Sequence, residues 1–101
     1  MSTICDAIAD RQLVRFNYAG DKVLGYRTVE PHTLGVDLAG NAALSAWFVE
    51  GASETTAGPG WRIYLLAEMQ DVTVLPKRFA GPRPGYVAGG GKLFQSFQCT
   101  L

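Results

Sequence analysis

From Leu13 onward the chain alternates. In LVRFNY, residues 13 to 18, Val14, Phe16 and Tyr18 fall on one side and Leu13, Arg15 and Asn17 on the other. That is the two-residue period of a strand with one buried face. The alternation restarts after each turn signal: over Val23 to Glu30 after AGDK, over His32 to Leu38, and over Ala42 to Glu50 after LAGN. It returns over Trp61 to Leu66 after the polar loop GASETTAGPG, and again over Glu68 to Leu75 through a short turn. Pro31 is expected to interrupt the second run or mark an edge, because proline has no N–H to give a ladder. Ahead of all this, Ile4, Ala7, Ile8 and Arg11 recur at helical spacing, with Ser2 or Thr3 as cap, so residues 3 to 11 should form a short helix. One helix and about five closely spaced strands predict a mainly β fold, a small SH3/Sm-like five-stranded barrel with the helix over one opening. Such a barrel fills its interior with side chains, so a ligand would sit on its rim or outer face.

A chain of 101 residues, 48% apolar and 18% charged, is one globular domain. The barrel with its helix is assigned to residues 1–79. Residues 80–101 form an extension, since PKRFAGPRPGYVAGGGK concentrates three of the five prolines and five of the twelve glycines and should be irregular. The closing LFQSFQCTL brings Leu93, Phe94, Phe97 and Leu101, which need an apolar berth. This tail is expected to add as a strand or to pack on an apolar face, and a homodimer is favoured over a monomer.

The formal net charge of zero is unevenly spread. Residues 1–71 hold all nine acids and five bases, while residues 72–101 hold Lys77, Arg78, Arg83 and Lys92 and no acid. That basic segment either forms an anion site or docks on the acidic body. Cys5 and Cys99 stand at opposite ends with no clustered ligand partner, so no metal is expected, and free thiols are favoured over a disulfide. No apolar run is long enough to span a membrane. MSTICDAIADR places acids where a secretory signal has bases, so the cytoplasm is the default compartment. No G-x-S-x-G elbow, P-loop or dinucleotide fingerprint occurs, so an enzyme and a cofactor are not expected.

Four pieces in order, AIADRQLVRFNYAG, YRTVEPHTLG, LSAWFVEG and GWRIYLLAEMQDVTVL, give the chain a family likeness. It resembles the WYL domain, a small Sm-like β-barrel of bacterial transcriptional regulators. The matching features are Ala7-Ile8, Tyr18-Ala19-Gly20, Arg27 with Pro31, the triplet Trp47-Phe48-Val49, and Arg62 with Tyr64. Phe48 stands where the family usually has tyrosine, and Glu68 where it often has arginine. The resemblance implies a ligand-sensing, non-catalytic domain in transcription or defence regulation. Its ligand would be a nucleotide, a single-stranded nucleic acid or another anion, held by Arg27, His32, Trp47, Arg62 and Tyr64. A separate DNA-binding protein is a further expected partner.

Each of these residues also has a structural reading. Arg27 would lay its stem over the barrel and pair with an acid such as Glu50, and Arg62 beside Tyr64 would be an ordinary exposed pair. His32 reads first as a structural hydrogen bonder, and Trp47 and Trp61 as core fillers. The alternative function is a non-catalytic interaction or oligomerisation module. Salt separates the two, because phosphate binding weakens steeply as salt rises.

Overall fold

The computed structural model describes residues 3–20, 25–52 and 58–101. The expected strand start at Val23, the turn at Asp21 and Lys22, and the middle of the 51–60 loop lie outside the described residues. A helix, α1 (Thr3–Asp10), is followed by β1 (Gln12–Tyr18), β2 (Tyr26–Asp37), β3 (Ala42–Gly51), β4 (Gly60–Leu65), β5 (Met69–Arg78) and β6 (Phe94–Thr100). A one-turn 3-10 segment at Leu66–Glu68 joins β4 to β5, and another covers Ala88–Leu93 before β6.

The strands form one antiparallel sheet in the order β4-β3-β2-β1-β5, with β6 paired to β2 off that path. The fold is mainly β, and the described residues form six strands, where about five are expected from sequence, in a sheet that is not closed. The sixth strand is the tail. β2 is long enough to carry two partners in succession: β1 lies along Tyr26 to Val29 and β6 along Thr33 to Asp37. Gly35 permits the second pairing, since a Cβ there would lie 2.3 Å from the Ser96 carbonyl oxygen and 2.8 Å from Phe97 Cα.

Pro31 does not interrupt the sheet. It lies inside β2, at a register shift between Pro31 and Thr33 that leaves His32 bulged out of the pairing with β3. The inner face is the one the alternation marks. Val14, Phe16 and Tyr18 pack against Val29, Leu44, Ala46, Phe48 and Tyr64. Ile4, Ala7 and Ile8 of α1 lie over them. Phe16 and Tyr18 meet Tyr64 edge-on at 4.9 and 5.0 Å, the preferred geometry for aromatic pairs.

The expectation of free thiols is overturned. Cys5 and Cys99 form a disulfide that ties α1 to β6 across 94 residues. The final strand brings Cys99 back beside the helix, a closeness that sequence distance concealed. A loop of that length restricts the unfolded chain by about 4 to 5 kcal/mol in the chain-entropy description. Such bonds persist under oxidising conditions and are rare in a reducing cytosol. No helix among the described residues is long and apolar enough to cross a membrane.

The tail finds part of its berth. Phe94 is buried and Leu101 packs against the core, whereas Leu93 and Phe97 are 58% and 57% exposed.

Candidate functional site

The five residues singled out from sequence divide between the two faces of the sheet. Register places Arg27 opposite Phe16, Tyr64 opposite Leu44 and Arg62 opposite Ala46, so all three belong to the inner face. Trp47 stands between Glu30 and Trp61 on the other face. His32 emerges at the bulge beside that second group.

On the inner face, Arg27 is 1% exposed. Its Nη1 donates to the Tyr18 and Gly25 carbonyls at 3.1 and 3.0 Å, and its guanidinium carbon lies 5.3 Å from the Tyr18 ring centroid. It therefore pins the end of β1 to the start of β2. These two bonds go to carbonyls of its own hairpin, and Glu50, considered from sequence as its partner, stands opposite Thr28. Tyr64 is 3% exposed and is held in the aromatic core. Arg62 is half-buried, with its guanidinium 5.4 Å from the Phe48 ring centroid. Its Nη1 and Nη2 donate to the Trp61 and Gly58 carbonyls at 2.8 and 3.1 Å.

The outer face is built around an acid. Glu30 is buried, opposite Trp47. Arg83, from the extension, bonds its carboxylate through Nε to Oε1 and Nη2 to Oε2, both at 2.7 Å. This bidentate fork is the strongest ordinary form of an ion pair and raises the Arg83 pKa, first through that hydrogen bond. The same guanidinium lies 5.2 Å from the Trp47 ring centroid, and Trp47 meets Trp61 edge-on at 5.6 Å.

His32 completes the wall. Its Nδ1–H donates to the Glu30 carbonyl at 2.7 Å, and its Nε2 accepts the backbone N–H of Arg83 at 3.2 Å. Together these bonds assign the neutral Nδ1–H tautomer. Burial lowers the His32 pKa, and the positive Arg83 adds to that effect. The bond to the Glu30 carbonyl and the Glu30 charge oppose it. The ring stacks on Phe79 at 5.5 Å and meets Trp61 at 4.7 Å. Trp61 in turn donates its indole N–H to the Pro84 carbonyl at 2.7 Å.

Beside this cluster a cleft of about 450 Å³ opens, lined in part by Lys77, Arg78 and Arg83, with Glu30 as the one acid among its described lining residues. Lys77 and Arg78 are exposed. Of the two alternatives considered for the basic segment, docking on the body is realised by Arg83 on Glu30, while Lys77 and Arg78 face solvent. A second cavity of about 440 Å³ lies between β4 and the Ala88–Leu93 turn, walled by Trp61, Ile63, Val87 and Leu93 with Arg62 and Lys92.

Sequence reasoning missed the Glu30–Arg83 pair and the aromatic partners Phe79 and Tyr86. One signal was present: Arg-Pro-Gly-Tyr at 83–86 carries the proline and glycine positions of a type II turn. Among the described residues no group of three or more His, Cys, Asp or Glu could hold a metal ion.

The six-stranded sheet, its helical cap and a polar chemistry made of arginine, acid and aromatic rings define a small mainly β domain. The chain belongs to the WYL domain family, whose model matches residues 1–74. WYL domains are generally regulatory, ligand-sensing domains and not typically catalytic. No curated protein and no solved structure matches the chain.

Proposed function

We propose that this protein is a ligand-sensing regulatory domain for an anionic ligand, a nucleotide or a single-stranded nucleic acid, acting in bacterial transcription or defence regulation. The observation that supports this reading is the cleft beside the outer face. Among its described lining residues are three bases and one acid, Glu30, which is already forked to Arg83. Lys77 and Arg78, exposed on its wall, are the groups that would meet phosphate. Of the five residues first singled out, Trp47 and Arg62 have surface to offer a ligand. Arg27, His32 and Tyr64, each at most 3% exposed, act from beneath by holding the strands that carry the contacts.

Thermal shift and calorimetry with nucleotides, cyclic nucleotides and short single-stranded oligonucleotides, at low and high salt, test the proposal. A ligand at a hundred times its Kd should add about 2.7 kcal/mol of stability. Its affinity should fall as salt rises and should weaken in the K77A/R78A variant. If no phosphate-bearing probe binds at low salt, the reading fails. A second reading, a homodimeric interaction module, draws support from Val87, Leu93 and Phe97, which are 57–59% exposed. It expects a salt-insensitive dimer in sedimentation, lost in the F97S variant.

A further inference from the structure

Glu30, His32, Trp47 and Trp61 all lie within residues 1–74, the span of the family match, whereas the segment that covers them, residues 79–86, lies outside it. The receiving residues thus fall inside the matched span and the residues that cover them after it, in the connection from β5 to β6. The Glu30 side chain is 5% exposed, and a buried carboxylate without a cation is strongly destabilising. The groove thus requires a positive partner of some kind.

The occupant is held as a bound ligand would be. Arg83 to Tyr86 form a turn closed by the Tyr86 N–H to the Arg83 carbonyl at 3.1 Å, with Gly85 at φ +89° where a type II turn needs glycine. Side chain and backbone are both recognised. Glu30 takes the guanidinium, Trp47 lies against it, His32 Nε2 accepts the Arg83 N–H, and Trp61 donates to the Pro84 carbonyl. The Arg83 side chain stays 43% exposed against 5% for Glu30, so the receiving wall is buried while the occupant lies open.

We propose that this groove is a recognition site for the arginine–proline–glycine turn of a partner protein, and that residues 83–86 fill it in cis. The segment is anchored on both sides, by the Phe79 N–H to the Arg11 carbonyl at 2.8 Å and by the Tyr86 hydroxyl to the Leu101 carbonyl. Anchoring keeps the cis turn at high effective concentration, so a partner binds only by displacing it. The inference is independent of the anion reading, since here a buried acid selects a cation.

The test uses the full chain with its disulfide intact. A blocked peptide of residues 81–87 is titrated into wild type and R83A while tryptophan fluorescence is followed. R83A should bind saturably and at least about tenfold more tightly than wild type, because the cis turn has lost its fork onto Glu30 and competes less well. The same peptide with lysine in place of arginine should bind at least about tenfold more weakly, having lost the fork. R83K, which keeps a charge against Glu30, serves if R83A does not fold, and the same order of peptides is expected. Absence of saturable binding to both variants, equal binding to wild type and variant, or equal binding of the two peptides overturns the proposal.

Discussion

Arg27 and Arg83 each lie against an aromatic ring, Tyr18 and Trp47, at nearly the same distance, 5.3 and 5.2 Å. Arg27 belongs to the inner face, is 1% exposed, and donates to carbonyls of its own hairpin. Arg83 reaches the outer face from 53 residues along the chain, forks onto a carboxylate and stays partly in water. The inner arginine is local and built in with the strands. The outer one holds the connection between β5 and β6 against the sheet. The same side chain is a structural pin in one region and a latch in the other, and what distinguishes them is the exposure.

Substitutions should separate the two faces. The largest loss is expected for F16A on the inner face, about 3–5 kcal/mol in urea unfolding, because a buried ring leaves a cavity beneath Tyr18 and Tyr64. A loss below 1 kcal/mol would mean that the inner face is not the core. Next is the tie between α1 and β6. Replacing both Cys5 and Cys99 by serine should cost about 2–5 kcal/mol. It should leave the fluorescence of the Trp47–Trp61 pair unchanged, since that pair lies on β3 and β4. A fluorescence change equal to that of R83A would show that the two regions are coupled.

On the outer face, W61F keeps a ring but removes the donor to the Pro84 carbonyl. It should cost about 0.5–1.5 kcal/mol, with proteolysis at residues 80–87 as a second readout. Unchanged protease resistance would remove Trp61 from the latch.

The smallest effect is the pH dependence of His32. Its folded pKa lies below the ordinary 6.5, so in the interval between the two values the unfolded chain binds the proton more readily. The contribution is therefore fully present above about pH 6.5 and is lost as pH falls through the folded pKa, with a slope of at most about 1.4 kcal/mol per pH unit. Protonation also removes the acceptor of the Arg83 N–H. Thermal melts from pH 7.5 to 5 should show this decline in wild type, and a flatter profile in H32N. Identical profiles would place the acid sensitivity elsewhere.

What sequence could convey follows the same division. The inner face was legible because period-two alternation at Val14, Phe16, Tyr18, Leu44, Ala46 and Phe48 is a local signal, and so was the short helix from Ile4, Ala7 and Ile8. The tail strand was also foreseeable, since Phe94 and Leu101 needed cover. Pro31 misled because a bulge absorbs a residue that regular pairing would not. The Cys5–Cys99 bond and the Glu30–Arg83 fork span 94 and 53 residues. No periodicity reports contacts at such separations. His32 could be expected to bond something, but its acceptor role toward a backbone N–H depends on where the extension returns.

The central claim, that the inner face is a permanent core and the outer face carries a releasable segment, is tested most directly by native-state hydrogen exchange at neutral pH. The account expects the Arg83 and Tyr86 amides to exchange through a local opening that is insensitive to low denaturant. The amides of Val14, Phe16 and Val29 should open only with global unfolding. If the Arg83 and Tyr86 amides instead show the same protection and the same denaturant dependence as Val14, the segment is part of one cooperative core and the distinction between the faces is wrong.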